Sequence, residues 1–327
     1  MINSIHHIPK AEIHVHLEAT ITPILCRKFA ARNGISLSNE IFGSKYAYAW
    51  TDFYDFIDKY DLVTSVICTP EDYRDLTYDY LKECAENNTI YVEAMISSTH
   101  AKQKGMTHHS FLEGVLEGAK QAEQEFGIIS KYIMNGIRHL GPESVQVTAE
   151  EVLQNPHSEL VGFGLAGDEL HFPPKLFIKT FDMLKEAKFP ITVHAGEWDG
   201  PDNIRNAIYL LHPTRLGHGV RSIEDPKLVE EIKELNIVLE TCPTSNIATN
   251  IYSDYESHPV KKLFDVGVKI TVNSDDPPFF NASIAGEYKV MADLGLSEKE
   301  LCSLTENAIK HSFCDQATKA KLLKNLN

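Results

Sequence analysis

An α/β chain closing into a (β/α)8 TIM barrel is what this sequence predicts, on three observations. Eight short runs rich in apolar and β-branched residues recur along the 327 residues, separated mostly by stretches with helical apolar spacing. Several runs are almost continuously apolar, which suits parallel strands covered on both faces. The length is ordinary for one barrel, so a single domain spanning residues 1–327 is expected.

The first strand is read at 11–19, and the helix after it at 22–32 has a clear start, with Thr22 as N-cap and Pro23 in the first turn. The gap before the second strand is the longest in the chain and holds the aromatic stretch from Trp50 to Tyr60. Barrel sites are built from loops at strand C-termini, so this insertion, with Phe53 and Phe56, is expected to form a lid; a helix packed outside the barrel is the alternative. Further strands are read at 89–97, 128–137, 160–166, 190–195, 215–220, 237–241 and 268–273, with helices at 71–86, 110–126, 174–187, 203–211 and 225–235. Helices at 297–307 and 312–326 should close the C-terminal side. Pro277 and Pro278 are expected to stop the last strand and to prevent an immediate helix.

With 31 Lys and Arg against 46 Asp and Glu, the formal charge is -15. A field of that sign repels phosphate backbones and anionic lipid, so neither nucleic acid nor a membrane is expected as the main partner. The first residues lack a signal-peptide pattern and no later run approaches the ~20 apolar residues needed to span a bilayer, which predicts a cytoplasmic protein. Six scattered cysteines without a Cys-x-x-Cys pair read as buried thiols.

The chemistry gathers at strand ends. The last strand delivers two adjacent acids, Asp275 and Asp276, which alternation should aim at different partners, one a cation and one a polar ligand group. His14 and His16 share one face of the first strand, His194 ends the fifth and His218 lies in the sixth. His14, His16, His194 and Asp275 would make a mixed nitrogen and oxygen site for one Zn2+ with room for water. Such a metal makes water nucleophilic near neutral pH, leaving Glu197 and His218 to divide the proton work between that water and a substrate. The plainer readings are a helix-start acid for Glu197 and a satisfied core histidine for His218. The other histidines, including the His6-His7 and His108-His109 doublets, read as structural or surface groups. Gly162 to Gly167 spells G-x-G-x-x-G but no helix start follows it, so a dinucleotide site is set aside; Gly167 instead allows a ligand close to the backbone.

Taken in order, Pro9 to Glu18, Leu165-Ala166-Gly167-Asp168-Glu169, His194-Ala195-Gly196-Glu197, Gly217-His218-Gly219, Cys242-Pro243-Thr244-Ser245-Asn246 and Ser274-Asp275-Asp276-Pro277 resemble the motif set of the adenosine/adenine deaminases of the amidohydrolase superfamily. The resemblance covers almost the whole chain. It implies a barrel with one catalytic zinc held by His14, His16, His194 and Asp275, hydrolysing the 6-amino group of a purine base or nucleoside. It also implies that His218 acts as base and orients the attacking oxygen, that Glu197 protonates purine N1, that Asp276 meets N7 and that the Gly167 backbone meets N3. His16, Glu18, Phe53 and Phe56 complete the candidate substrate contacts. Two departures bear on the substrate. Glu18 stands where adenosine deaminases have an aspartate near the ribose, as in the adenine branch, whereas Leu165 to Glu169 has the adenosine-type form. Adenosine (and deoxyadenosine) to inosine is therefore the expected reaction, with adenine to hypoxanthine, or another N6-aminopurine, as the alternative. An ester or lactone hydrolase with two metals bridged by a carboxylated lysine is disfavoured, since no strand-end lysine offers itself. Oligomeric state is not legible in the sequence.

Overall fold

The computed structural model describes residues 5–326. Its eight strands are β1 (Lys10–His16), β2 (Thr89–Ile96), β3 (Ile129–Ile137), β4 (Leu160–Ala166), β5 (Ile191–Ala195), β6 (Arg215–His218), β7 (Val238–Thr241) and β8 (Ile270–Val272). They form one sheet in sequence order, and each strand runs parallel to the next. With helices between them, this is the expected (β/α)8 barrel.

β8 has only three residues, so the closing seam to β1 needs other hydrogen bonds. The Asn273 side chain accepts from the Ile13 N–H at 2.9 Å. Beyond it, His16 N–H donates to the Asp275 carbonyl at 3.0 Å and Asp275 N–H to the His14 carbonyl at 3.3 Å. The backbone that joins the barrel's ends thus carries three of the candidate site residues.

Local signals explain most helix starts. Thr22 caps Pro23–Arg32 by accepting from the Leu25 N–H, and Thr69 with Asp72 forms a capping box on Pro70–Glu86. Gly127, at φ 76°, ends His108–Phe126. The helix read at 174–187 divides into a 3-10 turn, Pro174–Leu176, and a helix, Ile178–Glu186. Pro142–Gln154, Ser98–Gln103, Pro243–Ala248, Val260–Asp265 and Ile284–Asp293 are helices that the periodicity did not predict. The reading of Pro277 also needs correcting. Pro277–Phe280 is a short helix starting directly after Asp276, because proline fits a first turn whose N–H groups have no helical partner. Of the cysteines, Cys68 and Cys302 are only partly buried.

Beneath the barrel mouth lies a buried ionic layer. The Arg215 guanidinium pairs with Glu93 at 2.6 Å and with Glu240 at 2.5 Å, and it stacks 3.6 Å from the Phe313 ring centre. Burying these charges is tolerable only because each meets an opposite one. Among the described residues, no helix is long and apolar enough to cross a membrane.

Candidate active site

His14 and His16 project from β1, His194 from β5 and His218 from the end of β6, while Asp275 follows β8. His218 and Asp275 have φ of 58° and 63°, a left-handed conformation that costs a non-glycine residue on the order of 1–3 kcal/mol. That twist at two strand ends brings their side chains into the shared centre. His16 Nε2 lies 3.3 Å from His194 Nε2, and Asp275 Oδ1 lies 3.4 Å from both His14 Nε2 and His16 Nε2. One ligand atom each from His14, His194, His218 and Asp275 falls within 4.8 Å of the others, and His16, Asp275 and Asp276 form an overlapping group.

These atoms fit a metal ion. His14 Nε2 is buried without a hydrogen-bond partner, and its Nδ1 meets Glu240 Oε2 at 2.8 Å. His194 Nδ1 donates to the Leu165 carbonyl at 3.1 Å, which leaves its Nε2 lone pair facing the centre. Partners on the far ring nitrogen are how proteins orient metal-binding imidazoles. Asp275 divides its oxygens similarly, Oδ2 accepting from Ser245 Oγ at 2.7 Å while Oδ1 faces the histidines.

The electrostatics follow from burial and crowding. Burial opposes a charge on His14, but Asp275 and Glu240 outweigh it and raise its pKa to about 10. Burial, then the neighbouring imidazoles, pushes His194 well below its ordinary value, and burial takes His218 down to about 3. Asp275 is held well below the usual carboxylate range, since His14 and His16 overcome its burial. Glu197 and Asp276 go the other way. Burial and the Asp275 charge raise both well above the ordinary range, so each favours a protonated carboxyl.

Glu197 sits 3.6 Å from His218 Nε2 in the loop after β5. Glu169 braces that loop from the preceding motif, its carboxylate accepting from the backbone N–H groups of Gly196, Trp198 and Asp199. Asp276 Oδ1 is buried without a partner. His16, His194, Glu197, His218, Asp275 and Asp276 all face one cavity. Gly167, at φ 102°, lies on another wall beside His139, where an added Cβ would come within 2.7 Å of the imidazole. Phe53, Phe56 and Tyr60, on the helix Phe53–Thr64, cover the remaining side.

Glu18 is placed differently. It is buried in the 3-10 turn Leu17–Thr20 and turned into the wall, where Oε1 accepts from the Ser97 N–H at 2.9 Å and lies 3.5 Å from the Tyr73 hydroxyl. Supporting groups such as Glu240, Ser245, Asn246 and His258 received no role from the sequence, although Ser245 and Asn246 stand in a quoted motif. His100 and His139, read as structural or surface residues, also line the cavity.

The chain matches the adenosine deaminase family over residues 9–327. It belongs to that family. An adenine deaminase of Agrobacterium fabrum is 42% identical over 321 residues, which is 98% of this chain and 98% of that protein. The crystal structure of an adenine deaminase from Arthrobacter aurescens superposes with a TM-score of 0.90 at 29% identity, covering 97% of this chain and 98% of that one. An amidohydrolase from Burkholderia ambifaria with bound Zn gives 0.89 at 25% identity over 98% and 90% of the two chains. The expectation of adenosine as substrate is thereby corrected. Relatives matching this family member over their full length carry the name adenine deaminase, which supports the alternative reaction.

Proposed function

We propose that this protein is a zinc-dependent adenine aminohydrolase, converting adenine and water to hypoxanthine and ammonia. The observation that carries the reading is the convergence around one cavity of a histidine and aspartate cluster able to hold a metal, a partly buried acid at Glu197 and an unpaired acid at Asp276. Full-length relatives named adenine deaminase support the choice of base.

His14, His16, His194 and Asp275 would hold one metal ion, and imidazole with carboxylate is a donor set that zinc accepts. When bound, such a metal supplies Lewis acidity that makes water nucleophilic near neutral pH. The chain's own groups do the rest. Glu197, favoured in its protonated form by burial, gives a proton to purine N1, which makes C6 electrophilic. His218 holds the attacking oxygen beside Glu197 and Asp275. Asp276, kept protonated beside Asp275, presents an O–H donor to N7, and the Gly167 backbone receives the N3 edge. Phe53 and Phe56 would exclude water from above. A net charge of -15 suits a neutral base as the small-molecule substrate.

Ammonia release from adenine, compared with N6-substituted purines, tests the reading. Rapid turnover of adenine with hypoxanthine as product is expected; turnover confined to an N6-substituted purine would refute it.

A further inference from the structure

The family motifs leave one buried histidine without a task. His258 is 2% exposed, and it sits between the short helix Val260–Asp265 and the floor of the site. Its hydrogen bonds have a direction that can be worked out from one end. The Val260 backbone N–H can only donate, and it meets His258 Nδ1 at 3.1 Å. That nitrogen must therefore be the bare one. Burial holds the His258 pKa down to about 3, so the ring is neutral and its single proton lies on Nε2. His258 Nε2 in turn meets Asn246 Oδ1 at 3.1 Å, which only accepts. The Asn246 amide is thus oriented with Nδ2 toward His218, and that N–H2 meets His218 Nδ1 at 3.3 Å. Asn246 is fully buried, so no solvent competes for either end.

We propose that His258 and Asn246 are positioning residues that fix the tautomer of His218, holding its proton on Nε2, the nitrogen that faces Glu197 and Asp275 across the cavity. His218 Nε2 lies 3.6 Å from Glu197 Oε2 and 3.9 Å from Asp275 Oδ2, so the N–H points into the space between the two carboxyls. In this state His218 meets the attacking oxygen as a hydrogen-bond donor. Its Nδ1 lone pair is spent on Asn246; the other tautomer would set N–H against N–H, and a flipped ring would put a C–H there. The chain runs Val260 to His258 to Asn246 to His218, each link donating to the next. A ring held at one nitrogen keeps the orientation that transition-state contacts require.

The kinetic part of this proposal rests on the aminohydrolase reading, whereas the tautomer can be measured without substrate. Nitrogen-15 NMR of the imidazoles, in metal-free and metal-loaded protein, should show His218 and His258 each with a proton on Nε2 and a bare Nδ1. Asn246→Ala should turn His218 into a mixture of tautomers. His258→Ala should lower kcat for adenine by about ten- to a hundredfold, the usual range for groups that orient a site residue, with KM and metal content held. His258→Gln, which keeps an N–H aimed at Asn246, should recover most of that loss; it also serves if the alanine variant fails to fold. A wild-type His218 protonated on Nδ1, or a kcat in folded His258→Ala within twofold of wild type, would overturn the proposal. Absence of adenine turnover in the wild type with the Nε2 tautomer observed would instead refute the substrate reading and leave the relay standing.

Discussion

The floor and the lid of this cavity are built by opposite means. Four floor groups are tied from behind by polar bonds: His14 to Glu240, His194 to the Leu165 carbonyl, Asp275 to Ser245 and His218 to Asn246. The lid helix Phe53–Thr64 is held by ring contacts, with Phe53 4.4 Å from Trp198 and Phe56 5.0 Å from Phe280 between ring centres. Its neighbour Tyr54 is 58% exposed. Directional bonds in a buried floor specify positions, whereas ring packing tolerates sliding. Chemistry should therefore be sensitive to the floor, and substrate entry and retention to the lid.

The sharpest break in that comparison is at the acids. Asp275→Ala should lose the metal and essentially all turnover, whereas Asp276→Ala should keep the metal and lose purine binding; equal metal loss in both would contradict the division. Glu197→Gln should keep the metal, measured by elemental analysis, and lower kcat by on the order of 10²–10⁴, the range for losing a general acid. A smaller effect comes from behind the floor. Glu240→Gln should weaken metal affinity about 10- to 100-fold, read by competition with a chelator, because His14 loses its carboxylate partner.

A pH experiment tests a buried acid outside the cavity, apart from catalysis. Burial raises Glu287 to about 8, and its Oε2 has no partner although Oε1 accepts from the Thr244 N–H. The folded state then holds a proton that the unfolded state releases near 4.5. This contribution is fully present below about 4.5 and is lost as pH rises to about 8, at up to ~1.4 kcal/mol per pH unit. Glu287→Gln should flatten the decline of denaturant stability across that window; an unchanged slope would show that Glu287 is not its source. The lid should give the smallest change. Phe53→Ala should raise KM roughly fivefold, for about 1 kcal/mol of lost apolar contact, with kcat nearly unchanged. A large kcat loss there would put the lid on the same footing as the floor.

The same contrast governs what could be read from the amino acids. Period-two spacing and β-branched runs expose all eight strands, and they put His14, His16, His194 and Asp275 at one barrel end. Glu240 comes from elsewhere in the chain and the barrel's register brings it behind His14, while His258 reaches His218 through Asn246. Strand alternation ends at His16, and the 3-10 turn that follows turns the Glu18 carboxylate toward Ser97, a contact that residue spacing does not show. The helix Pro142–Gln154 carries a start signal in Pro142, legible in the sequence. At Pro277 the proline was read as a stop when the bond pattern makes it a start.

The central claim, that one metal centre serves adenine hydrolysis, is tested most directly by titrating zinc into the metal-free protein while following ammonia from adenine. The account predicts a rise that is linear and breaks at one equivalent per chain. A break at two equivalents, or no ammonia from adenine at any loading, would contradict it.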